Sequence, residues 1–302
     1  MNIAIFGTGA IGKQVLFSLL ERAKEKPLFK KILVVDRKKE DAAAEIKDCL
    51  PGFLESYTKL KALDYSDKKE IKTADIIVVT AGRRQRINEK RGELAPDNKL
   101  VMESIFKNLK VKKTAIIIVV TNPIDLMAQL VWKLSGLKPE QVLGFGGELD
   151  NRRLKLLISI QNKMNPNSIK CYVLGEHDER LLPIFKIEVK NRRRIIRQTR
   201  LYAQDVIDVK GYTEFGPAQV IVDVCRAIVH SMGEGHKGPP IHMSYYDKKK
   251  DVYVTGPCYF SFGELGGGIV PYKPAMSKEE RDYLNELIRI KKEEWRSLIK
   301  GN

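Results

Sequence analysis

The chain of 302 residues is poor in cysteine and histidine, with only four of each. Cys49, Cys171, Cys225 and Cys258 lie far apart, with no CxxC pair and no zinc-ligand spacing. That argues against a disulfide framework or a cysteine metal centre; four small thiols, buried or half-buried in a reducing compartment, are expected instead. No apolar run approaches the roughly 20 residues that span a bilayer. The opening residues, MNIAIFGTGAIG, carry no basic leader, apolar core segment or small-residue cleavage site, so the expected location is the cytoplasm. Low-complexity linkers and internal repeats are missing as well. Two intimately packed domains fit this texture better than separate beads.

Acidic residues are outnumbered. Lys and Arg total 54 against 38 Asp and Glu, a formal charge of +16. Such a surface attracts anionic metabolites or nucleic acid. The basic runs, Arg37-Lys38-Lys39, Arg192-Arg193-Arg194 and Lys248-Lys249-Lys250, are short and scattered, and no aromatic platform interleaves them. Nucleic acid is therefore not expected as a partner.

What is present is a repeated pattern of short apolar strands. Residues 2–6, 32–36, 75–79, 115–120 and 142–145 are nearly continuous runs of Ile, Val, Leu, Ala and Phe, with helical stretches between. Continuous apolar strands alternating with amphipathic helices predict a doubly wound parallel sheet covered on both faces. Beyond about residue 145 the texture changes to α+β. Helices are predicted at 148–164, 199–209 and 216–231, with a further one at the C-terminus. Strands are predicted at 169–174, near 184–190, at 241–246 and at 252–255. Ser277 and Glu280 form a capping box for the terminal helix.

Five motifs sit at strand ends or helix starts. Gly7-Thr8-Gly9-Ala10-Ile11-Gly12 follows the first strand and opens a helix, the arrangement that cradles a pyrophosphate. Asp36 ends the next strand, where a carboxylate takes ribose hydroxyls and repels a 2'-phosphate. NAD is thus expected over NADP, although Arg37 and Lys38 offset part of that repulsion. Thr80-Ala81-Gly82-Arg83-Arg84-Gln85-Arg86 leads on to Arg91 and Asn98 over the carboxyl edge of the sheet, where arginines clamp phosphate or carboxylate. Thr121-Asn122-Pro123 follows another strand. Leu149-Asp150-Asn151-Arg152-Arg153 opens a helix, and Gly175-Glu176-His177 ends a strand. His230, His236 and His242 are scattered and read as structural or surface.

In this order, GTGAIG, VVD, TAGRRQRINEKR, TNPID, LDNRR and GEHDER resemble the motifs of the L-lactate/L-malate dehydrogenase family. The resemblance runs from Gly7 to the terminal helix. It implies a Rossmann dinucleotide-binding domain over 1–144 and an α+β substrate-binding, catalytic domain over 145–302. It also implies an NAD-dependent L-2-hydroxy acid dehydrogenase with no metal. His177 would donate the proton, Asp150 would orient its ring, and Arg91 would polarise the carbonyl. Arg153 would hold the substrate carboxylate. Asn122 would hold the nicotinamide and substrate side, and Arg84 would meet the cofactor phosphates. Thr80, Ala81, Gly82 and Asn98 would join Gly7, Gly9, Ala10, Ile11, Gly12 and Asp36 around the cofactor.

One motif departs from the family. Asp178-Glu179-Arg180 stands where Gly-Asp-Ser is usual, which raises a backbone question and places a carboxylate beside His177 that favours its protonated form. Substrate choice stays open. Gln85, six places before Arg91, and Thr213 point to pyruvate and L-lactate. The neighbouring Arg86, and Gly216-Pro217-Ala218, point to oxaloacetate and L-malate, or to both substrates. The resemblance further implies a homodimer or homotetramer. A polyanion effector such as fructose 1,6-bisphosphate would meet Lys155 and Lys170. Two rivals remain: a non-enzymatic Rossmann protein binding nucleic acid or a partner, which needs none of the catalytic set, and an NAD-dependent glycosidase, which lacks its metal-binding cysteine and histidine here.

Overall fold

The computed structural model describes all residues except 25–26, 55, 87–88, 235–237, 262–267 and 301–302. The first half runs β1 (Asn2–Phe6), α1 (Ala10–Ala23), β2 (Lys31–Asp36), α2 (Lys39–Cys49), β3 (Lys59–Asp64), α3 (Lys68–Ile71), β4 (Ile76–Val79), α4 (Ala95–Phe106), β5 (Ile116–Val119), α5 (Ile124–Ser135) and β6 (Val142–Gly144). Its strands lie in the order β3-β2-β1-β4-β5-β6, all parallel. Along β1, Ile3 and Ile5 enter the core on one face while Ala4 and Phe6 enter the core on the other. A strand buried on both sides has no polar face, which is why these strands read as continuous apolar runs.

The second half contributes α6 (Gly147–Asn162), β7 (Cys171–Leu174), β8 (Leu182–Phe185), α7 (Arg192–Lys210), α8 (Phe215–Glu234), β9 (Ile241–Asp247), β10 (Val252–Ser261), β11 (Gly268–Pro271) and α9 (Lys278–Lys300). β7 and β8 form a separate antiparallel hairpin. β9, β10 and β11 instead continue the parallel sheet in antiparallel sense, joined to β6 at Gly144–Ser244, so one nine-stranded sheet crosses both halves. Ala218, Ile221, Val222 and Cys225 of α8 share a core with Ile3, Ile5 and Val15, so the halves are packed through common apolar burial.

Four elements differ from the sequence expectations. β3 alternates lysine with Leu60, Ala62 and Leu63 at the sheet edge, and β11 forms the opposite edge, so neither is a continuous apolar run. The strand expected near 184–190 is confined to Leu182–Phe185. α7 begins at Arg192, seven residues earlier than expected, because the arginine run lies on its exposed side while Ile195, Thr199, Ala203 and Ile207 are buried. The Ser277–Glu280 capping box forms in both directions, at 2.8 and 3.2 Å. Cys171, Cys225 and Cys258 are buried and Cys49 half-buried, all as free thiols. No described helix is long and apolar enough to cross a membrane.

Candidate active site

The loops after β1, β4, β5 and β6 meet along the carboxyl edge of the sheet, where the strand order reverses between β1 and β4. Ligands of open α/β sheets bind at such an edge. Gly7 has φ +97°, and a Cβ there would meet the Ala81 backbone nitrogen at 2.6 Å. A Cβ at Gly12 would lie 1.9 Å from the Gly7 carbonyl oxygen, so helix and loop approach only through glycine. Thr80 Oγ1 donates to the carbonyls of Phe6 and Gly7 at 2.9 and 3.0 Å, and Thr121 Oγ1 donates to the Ala81 carbonyl at 2.7 Å. These bonds make one rigid rim from three loops.

That rim fits a dinucleotide. Nothing lies within 4 Å of a Cβ built at Gly9, and α1 starts there with no side-chain cap and no acidic residue in its first turn. Its first N–H groups are therefore open to an anion. Ala10 and Ile11 begin that helix. The Asp36 carboxylate accepts from the Thr8 N–H and hydroxyl, at 2.7 and 2.6 Å, and from the Arg37 N–H at 2.7 Å, which fixes it beside the loop. Asn122 Oδ1 is buried and has no hydrogen-bond partner, an acceptor that a carboxamide N–H would satisfy.

The candidate acid-base cluster forms where α6 meets the end of β7. Asp150 and Arg153 stand one turn apart on α6 and face the same side. The Asp150 carboxylate pairs with His177 Nδ1 through Oδ2 and accepts from Arg153 Nη1 through Oδ1 at 3.0 Å. All three residues are buried. The Arg91 guanidinium donates to the His177 carbonyl. Arg91, Asn122 and His177 line one cavity of about 640 Å³. Arg153 and Thr213 line a separate cavity of about 340 Å³ with Leu149, Tyr202 and Phe215.

Burial works to raise the Asp150 carboxyl, but His177, Arg153 and Arg91 outweigh it and hold it below its ordinary value. Burial, with Arg91 and Arg153 nearby, lowers the His177 imidazole against the pull of Asp150. The net direction is therefore toward the neutral ring, opposite to the protonated form that Asp178 alone would favour. Its carboxylate is held by Arg180, through the N–H at 2.7 Å and Nε at 2.9 Å. The backbone question also closes. Positive φ among described non-glycine residues occurs at Lys163, Asn191 and Asp251, and not at Asp178.

Other sequence candidates are placed differently from one another. Gln85 donates to the Glu89 carbonyl at 2.6 Å and lines a third cavity, of about 370 Å³, with Arg91 and Asp178, while Arg86 is exposed. The Arg84 guanidinium, expected at cofactor phosphates, lies over the Tyr212 ring at 5.0 Å. Asn98, expected at the cofactor, has both ends of its amide on protein backbone: it accepts from the Arg83 N–H at 2.6 Å and donates to the Asn122 carbonyl at 2.7 Å. It braces the Gly82 and Asn122 loops. Of the remaining histidines, His230 is exposed, and His242 is buried with its Nδ1 3.1 Å from Glu148. His236 lies outside the described residues.

Two residues around the cluster are not singled out by sequence. Tyr202 of α7 lies beneath the Arg153 guanidinium at 5.3 Å, a contact across helices with no local signal. Gly146, just ahead of α6, packs on the catalytic candidate itself: a Cβ there would meet His177 Cγ at 2.6 Å. The Gly146-Gly147 pair before the LD motif was the signal available. Gly146→Ala is expected to displace the ring and lower kcat by about 10-fold or more, with NADH affinity within about 2-fold. Steady-state kinetics beside a fluorescence titration of NADH checks this, and an unchanged kcat would remove the packing constraint.

Residues 1–144 match the family described as lactate/malate dehydrogenase, NAD binding domain. Residues 147–297 match lactate/malate dehydrogenase, alpha/beta C-terminal domain. The chain is 31% identical over 250 residues to an L-lactate dehydrogenase of Bifidobacterium animalis subsp. lactis, covering 76% of each chain. It is 37% identical over 180 residues to an L-lactate dehydrogenase of Fervidobacterium nodosum, covering 59% of this chain and 56% of that one. Among solved structures it is similar to malate dehydrogenase from Archaeoglobus fulgidus in complex with NADH, at 29% identity, TM-score 0.80 and 99% coverage of both chains. The fold alone is shared with malate dehydrogenase from Plasmodium falciparum, at 22% identity, TM-score 0.84 and 99% of both chains. The chain belongs to the lactate/malate dehydrogenase family, as an oxidoreductase whose cofactor is NAD.

Proposed function

We propose that this enzyme interconverts a 2-oxo acid and the matching L-2-hydroxy acid, with pyruvate and L-lactate as the better-suited pair. The observation that carries the reading is the buried Asp150 carboxylate shared by His177 and Arg153. When bound, the nicotinamide supplies or accepts the hydride at the substrate C2. Asp150 holds His177 by Nδ1, which leaves Nε2 to give a proton to the ketone oxygen or take one from the alcohol. Arg153 has the planar fork that grips a carboxylate at two points. Arg91 brings a second cation to the carbonyl and, by its bond to the His177 backbone, ties the loop that carries it to the proton donor. Asn122 Oδ1 orients the carboxamide, and the glycine rim and Asp36 seat the rest of the cofactor.

The preference for pyruvate rests on the loop. Gln85 faces a cavity shared with Arg91, whereas Arg86 is exposed. A neutral amide there leaves a second substrate carboxylate without a cation. Gln85→Arg is expected to raise oxaloacetate turnover relative to pyruvate by about 10-fold or more. Arg86→Ala is expected to leave the ratio within about 2-fold. Loss of oxaloacetate activity in Arg86→Ala would show that Arg86, not Gln85, faces the substrate.

Protonation gives the second test. Ketone reduction needs the imidazolium, so its kcat/KM falls as pH rises through the His177 pKa, which burial holds below the ordinary value near 6.5. Oxidation needs the neutral ring, so it rises through the same pKa and levels off at a lower pH than an ordinary imidazole would allow. An oxidation limb still climbing above pH 8 would contradict this. His177→Asn is expected to lose roughly 100-fold or more in kcat in both directions while still binding NADH. Activity above about a tenth of the parent would remove His177 as proton donor.

Assembly on two-fold axes, as a homodimer or homotetramer in the cytoplasm, belongs to the same proposal. Ile160, Val209 and Phe215 are exposed on α6, α7 and α8 respectively, apolar surface that a neighbouring copy would cover. Lys170 is exposed and Lys155 half-buried, so both stay candidates for a polyanion effector. Light scattering at low ionic strength is expected to find an oligomer, and fructose 1,6-bisphosphate to lower KM. A monomer, or saturation curves unmoved by the bisphosphate, would remove the respective claim.

A further inference from the structure

The C-terminal helix α9 carries a charged side chain into the interior behind the proton donor. Lys291 is 2% exposed. Its ammonium pairs with the Asp125 carboxylate and lies 3.1 Å from Glu176 Oε2. Asp125 is in the first turn of α5, three residues after Asn122, and Glu176 directly precedes His177. One cation thus joins the loop that offers the orphaned Asn122 acceptor to the segment that offers the imidazole.

The unusual Asp178-Glu179-Arg180 segment is part of the same network. Arg180 pairs with Glu176 at 2.6 Å, with Asp178 at 2.8 Å and with Glu294 of α9 at 2.6 Å. Tyr283 of α9 donates its hydroxyl to the Arg180 carbonyl at 3.1 Å, and the Leu287 side chain closes on Gly175. α9 therefore grips residues 175–180 by charge, hydrogen bond and packing together.

We propose that Lys291 is a positioning residue for the reaction: its buried ammonium holds the His177 segment beside the Asn122 loop by neutralising the facing carboxylates of Glu176 and Asp125, which would otherwise push the two segments apart. The inference rests on His177 being the proton donor. Burial opposes the charge on Lys291, yet Asp125 and Glu176 outweigh it and keep the ammonium protonated. The groups facing Glu176 are Lys291 from α9, Asp125 from α5, and Asp178 and Arg180 from its own segment, with Glu294 of α9 on the other side of Arg180. Burial first, then Asp125 and Asp178, push Glu176 up to about 7 against the two cations. Removing Lys291 takes away the largest opposing charge, so Glu176 moves higher still and the buried carboxylates repel.

A carboxyl whose folded pKa exceeds its unfolded value near 4.3 is harmless in acid and destabilises as pH rises toward the folded value. Lys291→Met is therefore expected to melt below the parent protein by a gap that grows by about 5 °C between pH 5 and pH 8. Its kcat is expected to fall about 10-fold or more at pH 8 and to come within about 3-fold of the parent at pH 5. Lys291→Met with Asp125→Asn removes one cation and one anion together. It is expected to flatten the melting gap and recover most of the kcat, and it is the variant to read if the single one does not fold. A melting gap independent of pH, or no recovery in the double variant, would overturn the electrostatic clamp. A growing gap with kcat unchanged at pH 8 would confine Lys291 to stability and overturn its positioning role. Failure of the parent on both pyruvate and oxaloacetate would count against the proposed function instead, since melting is read without substrate.

Discussion

The buried carboxylate of Asp150 is the constraint around which the candidate active site is built. A lone carboxylate in so dry a place would be strongly penalised and would protonate. Here it meets an imidazole on one oxygen and a guanidinium on the other, with Arg91 close enough to add its field. Those partners keep it ionised, and in return it orients both groups. The ring can turn only by abandoning Asp150, and Arg153 is held further by the face of Tyr202. Gly146 then becomes necessary, because the ring in that orientation occupies the space a Cβ would need.

The surrounding fold exists to bring that carboxylate to the correct end of the sheet. α6 starts three residues after β6, so its first turn lands beside the loops from β4 and β5. Asn98, Thr80 and Thr121 stitch those loops together with backbone-directed hydrogen bonds, which leaves Asn122 Oδ1 as the unmatched acceptor. On the far side, α9 brings Lys291 to Glu176, just before His177, and Glu294 to Arg180, just after it. Asp178, which taken alone would stabilise an imidazolium, is committed to Arg180. Asp178-Glu179-Arg180 is thus compensated within the segment itself and by Glu294 of α9.

The sequence by itself determined the central strands, the glycine rim and the candidate catalytic set. Ile3–Phe6 and Ile76–Val79 are legible because a strand buried on both faces tolerates no polar residue. Gly7, Gly12, Asp150, Arg153 and His177 are legible because each sits within a short motif at a strand end or helix start. Tertiary structure alone decided the rest. The edge strands β3 and β11 carry too mixed a pattern to stand out, and nothing local joins β9 to β6 across nearly 100 residues. The histidine's lowered pKa depends on burial and on two cations from separate segments, Arg91 and Arg153, so the neighbouring Asp178 was a misleading guide. Tyr202 and Lys291 act on residues 49 and 115 positions away in the chain, respectively Arg153 and Glu176. A charged or aromatic side chain in an amphipathic helix looks like surface until packing buries it. Only the folded chain, by bringing α9 against the end of β7, turns a lysine in a lysine-rich sequence into part of the site.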